Sequence, residues 1–329
     1  MKDEIDEIDS KIICDLLRDG RKSFKTIASE CNVTRHAIWE HYNRMKNAGI
    51  IVGSTILLNW KSIGYKAVTS LFLKIDFEKV EEFYEFVQTM PGVLYNNPLP
   101  AVSKFNYSVT LTHENFQKFN EISSKISKHE AVFDSKLYVW TDVKHIPENI
   151  LKKETKNKKN THKLEPLPLL LLDIKVETDD RDREIIELLL KNSRDSFSKI
   201  AKKIGLSTDT VIRRYRKLVK CGIIRSVIQI NPIKIGYKAL FRVGLISKFK
   251  SDDFLLIENL ANVPDVVEIV KTGAGMNMDF EVGIMVKDIE KQLEILDQIN
   301  RIGNLQLAEL HLTKIADVFP SPGWSMSTF

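Results

Sequence analysis

Ile5, Ile8, Ile12, Ile13, Leu16 and Leu17 recur at helical spacing and mark one face of an amphipathic helix near the start of the chain. A second such helix begins far downstream, with Ile185, Ile186, Leu189 and Leu190 on its stripe. The same punctuation follows both. Ser23 or Ser196 stands as an N-cap before a short helix carrying Ile27 and Ala28 or Ile200 and Ala201. The turn after it passes through Asn32 or Gly205, the residue types that most readily take positive φ. Thr34 or Ser207 then opens a third helix, with Ile38 and Met45 or Val211 and Leu218 on its buried stripe, and Gly49 or Gly222 ends it. A β-rich stretch comes next, residues 50–57 or 223–230, of a length for a wing or a hinge strand.

Beyond each β-rich stretch the periodicity alternates between two and 3.6. In the downstream copy, residues 240–247, 252–260, 266–271, 280–286, 289–301 and 305–315 predict strand, helix, strand, strand, helix, strand, and residues 68–140 run similarly. That order is the ferredoxin-like split βαβ arrangement. Helices on one face leave the other face of the sheet open, so pairing of two sheets is expected.

The two copies are one repeat. At an offset of 173, Asp9-Ser-Lys-Ile-Ile lies over Asp182-Arg-Glu-Ile-Ile, and Arg21-Lys-Ser-Phe over Arg194-Asp-Ser-Phe. Asn59-Trp-Lys-Ser-Ile-Gly-Tyr matches Asn231-Pro-Ile-Lys-Ile-Gly-Tyr after a one-residue slip. The reading is an α+β chain of two tandem units, each a winged helix-turn-helix domain (1–57 and 178–231) followed by a ferredoxin-like βαββαβ domain (58–145 and 232–329). Residues 146–177, rich in Lys and Asn and then Pro, read as a basic linker between them.

Composition changes this picture little. Of the net charge of +5 over 329 residues, the linker segment 152–163 supplies six Lys against one Glu, so the remainder is balanced. Only the placement of charges can argue for nucleic acid. Cys14, Cys31 and Cys221 lack CxxC spacing, and the acidic start and short apolar runs support neither a secretion signal nor a membrane span, so a cytoplasmic location is expected. GxxxxGK[ST], HExxH and GxSxG are absent; no catalytic residue is assigned, and neither a metal nor a cofactor is expected.

Placement does argue for it in the third helices. The downstream one leaves Ser207, Thr208, Thr210, Arg213, Arg214, Arg216 and Lys217 facing outward, hydroxyls at its N-terminus and cations along its side. A helix so equipped enters the major groove, its first turns meeting base edges while Arg and Lys neutralise phosphates. The upstream helix, opened by Thr34, offers Arg35, His36, Trp39, Glu40, Asn43 and Arg44, a less basic and bulkier set. A plain three-helix packing module is the bland alternative, against which the doubled pattern and the basic stripe weigh.

Together, Asp182-Arg-Glu-Ile-Ile-Glu-Leu-Leu, Ile204-Gly-Leu-Ser-Thr-Asp-Thr-Val-Ile-Arg-Arg, Gly222-Ile-Ile-Arg, Ile235-Gly-Tyr and the segment from Val263-Pro-Asp-Val-Val through Thr272-Gly-Ala-Gly to Asp279 carry a resemblance to the leucine-responsive and asparagine-regulator (Lrp/AsnC) family. It implies a sequence-specific double-stranded DNA-binding transcription regulator whose ferredoxin-like parts dimerise and assemble into homo-oligomers. It also implies an amino acid or related metabolite bound near Thr272, Gly273, Ala274, Gly275 and Asp279. There, backbone N–H groups would hold a carboxylate and Asp279 an amine; a glycine-rich link with no ligand is the plainer reading. The two heads are joined in one chain and differ in their reading helices, so an asymmetric site is expected, with half-sites about one helical turn or a multiple apart.

Two rivals remain. The tandem layout also resembles the siroheme decarboxylases, whose chemistry calls for a cationic cluster to hold a carboxylated tetrapyrrole, yet residues 93–107 and 266–280 contain neither His nor Arg. The other is an assembly protein that has lost DNA contact in its first head and uses Trp39 and Tyr42 for packing or partner binding.

Overall fold

The computed structural model describes residues 5–59, 62, 64–99, 104–151, 178–248, 253–273, 277–302 and 305–320. Two three-helix heads appear where the apolar stripes place them: α1 (Glu7–Arg18), α2 (Phe24–Cys31) and α3 (Arg35–Asn47), then α6 (Asp180–Lys191), α7 (Phe197–Ile204) and α8 (Thr208–Lys220). Their boundaries follow local chemistry. Ser23 accepts the Thr26 N–H and Ser196 that of Lys199, while Thr34 and Ser207 accept from Ala37 and Thr210. Asn32 at φ 54° and Gly205 at φ 67° make the left-handed turn between second and third helices. The first helix of each head starts with a reciprocal capping box, Asp6 with Asp9 and Asp179 with Asp182.

The β-rich stretch after each head is a hinge strand shared with the other copy. β1 (Ile51–Leu58) and β6 (Ile224–Ile230) pair antiparallel, with Thr55 opposite Val227 and Leu58 opposite Ile224. In crossing, they exchange core residues. Val227, Ile228 and Ile230 of β6 complete the core of the first head with Ile12, Leu16, Ile27 and Met45, and Ile56 and Leu58 of β1 complete that of the second with Ile185, Leu189, Ile200 and Leu218. Burying such side chains is worth about 1.5–3 kcal/mol each, so the heads stabilise one another.

The remaining elements form the two ferredoxin-like halves. The first has β2 (Ala67–Ile75), α4 (Val80–Gln88), β3 (Val93–Pro98), β4 (Tyr107–His113), α5 (Phe116–Ser127) and β5 (Val132–His145). The second has β7 (Ala239–Ser247), α9 (Asp253–Ala261), β8 (Val266–Thr272), β9 (Phe280–Val286), α10 (Ile289–Arg301) and β10 (Leu305–Lys314). The two sheets do pair, and they do so edge to edge. β5 joins β8 to give one antiparallel eight-stranded sheet in the order β10-β7-β9-β8-β5-β2-β4-β3. The sheet also curls, bringing β10 across the open face of β2 and β5, where the His311 ring lies 5.3 Å from Phe72 and Tyr138 donates to Glu309 at 3.2 Å. Among the described residues no ladder links β3 to β10, so the seam is one-sided.

The start of the expected linker is part of the fold. Ile146, Glu148, Asn149 and Ile150 are buried, with a 3-10 turn at Pro147–Asn149. The Asn149 amide donates to the carbonyls of Ala261 and Val266 at 2.8 and 2.9 Å, Arg225 meets Glu148 at 3.4 Å, and Ile150 enters the first head's core. The packed chain of the first unit therefore runs past 145, its polar side chains buried against carbonyls and Arg225 rather than left in solvent. The basic run and the Leu run at 152–177 lie outside the described residues. Among the described residues no helix is long and apolar enough to cross a membrane.

Candidate nucleic-acid interface

The third helix of the second head buries Val211 and Leu218 and leaves Ser207, Thr208, Arg213, Arg216 and Lys217 exposed, with Thr210 half-buried beside the cap. An N-terminus ringed by hydroxyls, with cations along one side, is thus open to solvent, an arrangement that a groove-entering helix requires. The third helix of the first head presents a different surface. Thr34, Arg35 and His36 are exposed and Asn43 is half-buried, but the centre of the face is Trp39, 51% exposed and stacked on His36 at 5.7 Å, with His36 paired to Glu40 at 3.3 Å.

Two of the candidate arginines face inward partners. Arg214 lies 2.8 Å from both Asp179 and Asp182, and Asp182 is only 1% exposed. These ion pairs push the Arg214 guanidinium further up, Asp182 contributing most. In the first head the same carboxylate position, Asp9, is held by His41 at 2.8 Å and by Arg44, which also reaches Asp6 at 3.3 Å. Asp6, Asp9 and His41 come within 4.8 Å of one another, and Arg44 already fills that cluster as the counter-ion. Arg214 and Arg44 thus pin the reading helix to the first helix of their own head. The signal was an acid at the same position of both copies.

Sequence reasoning missed a second feature, which joins the heads. Arg21, in the loop before α2, crosses to the second head, its guanidinium 4.1 Å from the Phe197 ring centre and 5.1 Å from that of Tyr215, while Nη2 donates to the Asp195 carbonyl at 2.6 Å. Arg194 returns the contact. It lies 5.2 Å from the Phe24 ring and 5.3 Å from the Tyr42 ring and donates to the Gly20 carbonyl. The repeated Arg-x-Ser-Phe was the visible trace. Tyr42, noted for packing, is used here, and Trp39 is left in solvent.

The expected effector loop is only partly described, Ala274 and Gly275 lying outside the described residues. Thr272 is buried and its hydroxyl donates to the Met278 carbonyl. The Gly273 N–H donates to Val139 of the first unit at 2.9 Å, continuing the β5–β8 seam. Asp279 is exposed and one carboxylate oxygen accepts the Ser247 N–H at 2.7 Å. Thr272 and Gly273 therefore stitch strands together.

Cations absent from the two loop windows do occur nearby, on the inner face of the curled sheet. Arg242 bridges Glu268 at 2.8 Å and Glu281 at 2.6 Å, His145 lies 3.4 Å from Glu268, and Glu309 holds Lys136 at 3.0 Å and His311 at 3.2 Å. Burial, helped by Arg225 and Arg242, pushes His145 down to about 3, so it is neutral at physiological pH. Bonds from His311 and Lys136 pull Glu309 down to about 2. Among the described residues, two fixed cations, Arg242 and Lys136, thus face the three carboxylates of Glu268, Glu281 and Glu309.

Comparison with known proteins bears on this geometry. Residues 179–219 match the AsnC-type helix-turn-helix domain, and residues 5–52 match a winged helix-turn-helix DNA-binding domain. The chain is 36% identical over 143 residues to the HTH-type transcriptional regulator PH0140 of Pyrococcus horikoshii, covering 41% of this chain and 85% of that protein. It is 34% identical over 128 residues to the HTH-type transcriptional regulator LrpA of the same organism, covering 39% and 87%. The chain belongs to the Lrp/AsnC family. Each of those relatives aligns with less than half of this Lrp/AsnC chain, which holds two units. The crystal structure of the siroheme decarboxylase NirDL in co-complex with an iron-uroporphyrin III analogue shares the fold along the whole length, with a TM-score of 0.60 at 15% identity, covering 97% of this chain and 96% of that one.

Proposed function

We propose that this Lrp/AsnC chain is a sequence-specific double-stranded DNA-binding transcription regulator in which one polypeptide supplies both halves of an asymmetric reading unit. The observation that carries it is the exposed set Arg213, Arg216 and Lys217 on a helix capped by Ser207, in a head joined to its twin by the shared β1–β6 ribbon. Arg213 and Arg216 supply base-edge and phosphate contacts, Ser207, Thr208 and Thr210 orient the helix on the backbone, and Lys217 adds charge. Arg214 and Arg44 act through the helix they hold. In the first head, Arg35 and Asn43 flank an apolar centre, so its half of the target differs in sequence.

Footprinting of the purified full-length chain on its genomic sites, with salt-titrated affinities, tests this reading. A single protected region with two non-identical halves and a steep fall of affinity with salt is expected. Two identical, mirror-related halves, or indifference to duplex DNA in dilute buffer, would sink it. Assembly into homo-oligomers and modulation by an amino acid belong to the same reading. For the effector, Asp279 is the exposed group left to hold an amine, and a thermal shift with amino acids that disappears in Asp279→Ala is the check.

The siroheme decarboxylase reading draws on the shared two-unit fold. The charge of the inner face speaks against it, since a carboxylated tetrapyrrole would meet three carboxylates against two fixed cations, with His145 neutral. Absence of a Soret-band change on adding an iron tetrapyrrole is the expected outcome.

A further inference from the structure

We propose that Arg21 and Arg194 are positioning residues for DNA recognition: each clasps the reading helix of the opposite head, and together they make the chain select its target by the spacing and helical phase of the two halves. This rests on the DNA-binding reading and adds what sets the distance between the heads.

The argument starts from where the aromatic partners sit. Tyr42 lies on α3 and Tyr215 on α8, the two reading helices, each closed by a Phe from the preceding helix. Phe24 with Tyr42 and Phe197 with Tyr215 have the same geometry, centroids 5.1 Å apart at 51°, so the two receptor sites are built alike. Tyr215 falls between Arg213 and Arg216, and any rotation that moves it moves them. Into each receptor the other head inserts an arginine that both stacks on the rings and donates to a backbone carbonyl, Asp195 for Arg21 and Gly20 for Arg194. A planar guanidinium suits both at once, its face stacking flat on the rings while its edge donates in a fixed direction.

Other hydrogen bonds between the heads fall mainly on the ribbon, as from the Gly20 N–H to Ser226 at 2.7 Å and from the Ser193 N–H to Ser54 at 3.3 Å, and Lys234 reaches the Ala48 carbonyl at the C-terminal end of α3. The ribbon bonds fix the strands, and the Lys234 bond holds only the far end of α3, leaving the middle of each third helix to its core packing and to the crossing arginine. The arginines reach the reading helices themselves. They also escape the divergence between the heads: the outward faces of α3 and α8 differ, while Arg, Phe and Tyr occupy the same repeat positions in both.

The test uses the full-length chain with Cys14, Cys31 and Cys221 replaced by Ser and spin labels attached through Asn47→Cys and Lys220→Cys, exposed and equivalent positions at the ends of α3 and α8. Pulsed electron double resonance without DNA is expected to give a narrow distance distribution, broadened in Arg21→Ala/Arg194→Ala. In parallel, affinity is measured for the footprinted site and for the same site with about five base pairs, half a helical turn, inserted between the halves. The insertion is expected to weaken the parent at least about tenfold and the double variant less than about threefold. If the double variant does not fold, the single variants decide, each relaxing the penalty part-way. An unchanged distribution with an unchanged penalty overturns the proposal, as does a parent insensitive to the insertion. A parent that ignores duplex DNA removes the regulator reading and the spacing claim, while the label distances still decide the clasp.

Discussion

The two heads are the same three helices with the same caps and turn, yet they have kept and changed different things. What they share faces the other copy: the hinge strand, Phe24 and Phe197, Tyr42 and Tyr215, and the two crossing arginines. The differences lie on the outside. The outward face of α8 exposes Thr208, Arg213, Arg216 and Lys217, that of α3 Arg35, His36, Trp39 and Glu40. Even the pin on the buried first-helix carboxylate differs, one arginine in the second head and a His41–Arg44 pair in the first. Fusing two copies removes the need for identical halves, because the partner is always present. Each outward face is then free to diverge while the contacts that hold the pair cannot.

The strongest way to break this comparison is to strip one face at a time. Arg213→Ala with Arg216→Ala is expected to weaken binding to the footprinted site by about 100-fold or more, since each arginine contact is worth about 1–3 kcal/mol. The log–log salt slope should also fall by about 2. Arg35→Ala with Asn43→Ala should cost about tenfold, confined to the other half of the footprint. Equal losses from the two pairs would mean that the heads read DNA alike. A smaller contrast concerns stability. Arg214→Ala leaves the buried Asp182 without its cation and is expected to cost about 2–3 kcal/mol in denaturant unfolding. Arg44→Ala leaves Asp9 still held by His41, so about 1 kcal/mol is expected there. The reverse order would show that Arg44, not His41, secures Asp9.

Much of this was readable in advance wherever local chemistry writes the answer. The Ser and Thr caps, the positive-φ turn at Asn32 and Gly205, and the six elements of the second ferredoxin-like half fell within a residue or two of where their patterns put them. What escaped was the identity of distant partners. A two-residue period says that residues 51–57 form a strand, but not that the strand pairs with residues 224–230 of the other copy and completes its core. Arg214 and Arg44 looked like phosphate ligands because an exposed-face arginine has the same pattern whether its partner is DNA or an aspartate on another helix. Asn149 has the polar character of a linker residue, and its amide is instead buried against three carbonyls. The basic groups of the inner face escaped because Arg242 and His311 meet only where β7 pairs with β10, and His145 joins them only where β5 pairs with β8 of the other unit.

Acid sharpens the same contrast with the smallest effect. On the first head, Lys11 and Lys22 each bridge Glu30 and Asp15 at 2.7–2.8 Å, whereas the equivalent positions of the second head are Glu184, Asp195, Lys203 and Leu188. The bond from Lys11, then that from Lys22, pulls the Glu30 carboxyl from 4.5 down to about 2. Glu30 therefore contributes stability that is complete above pH 4.5 and is lost as pH falls through about 2. Because Glu30 is 38% exposed, solvent screening keeps that contribution below about 1 kcal/mol. Glu30→Gln should be less stable than the parent by that amount at pH 7, and the two should converge as the pH approaches 2. The exchange protection of α1 and α2 amides should report the loss, and that of α6 and α7 should not. A gap between parent and variant that stays constant across this range would mean that the lysines hold Glu30 by shape and packing rather than by its charge.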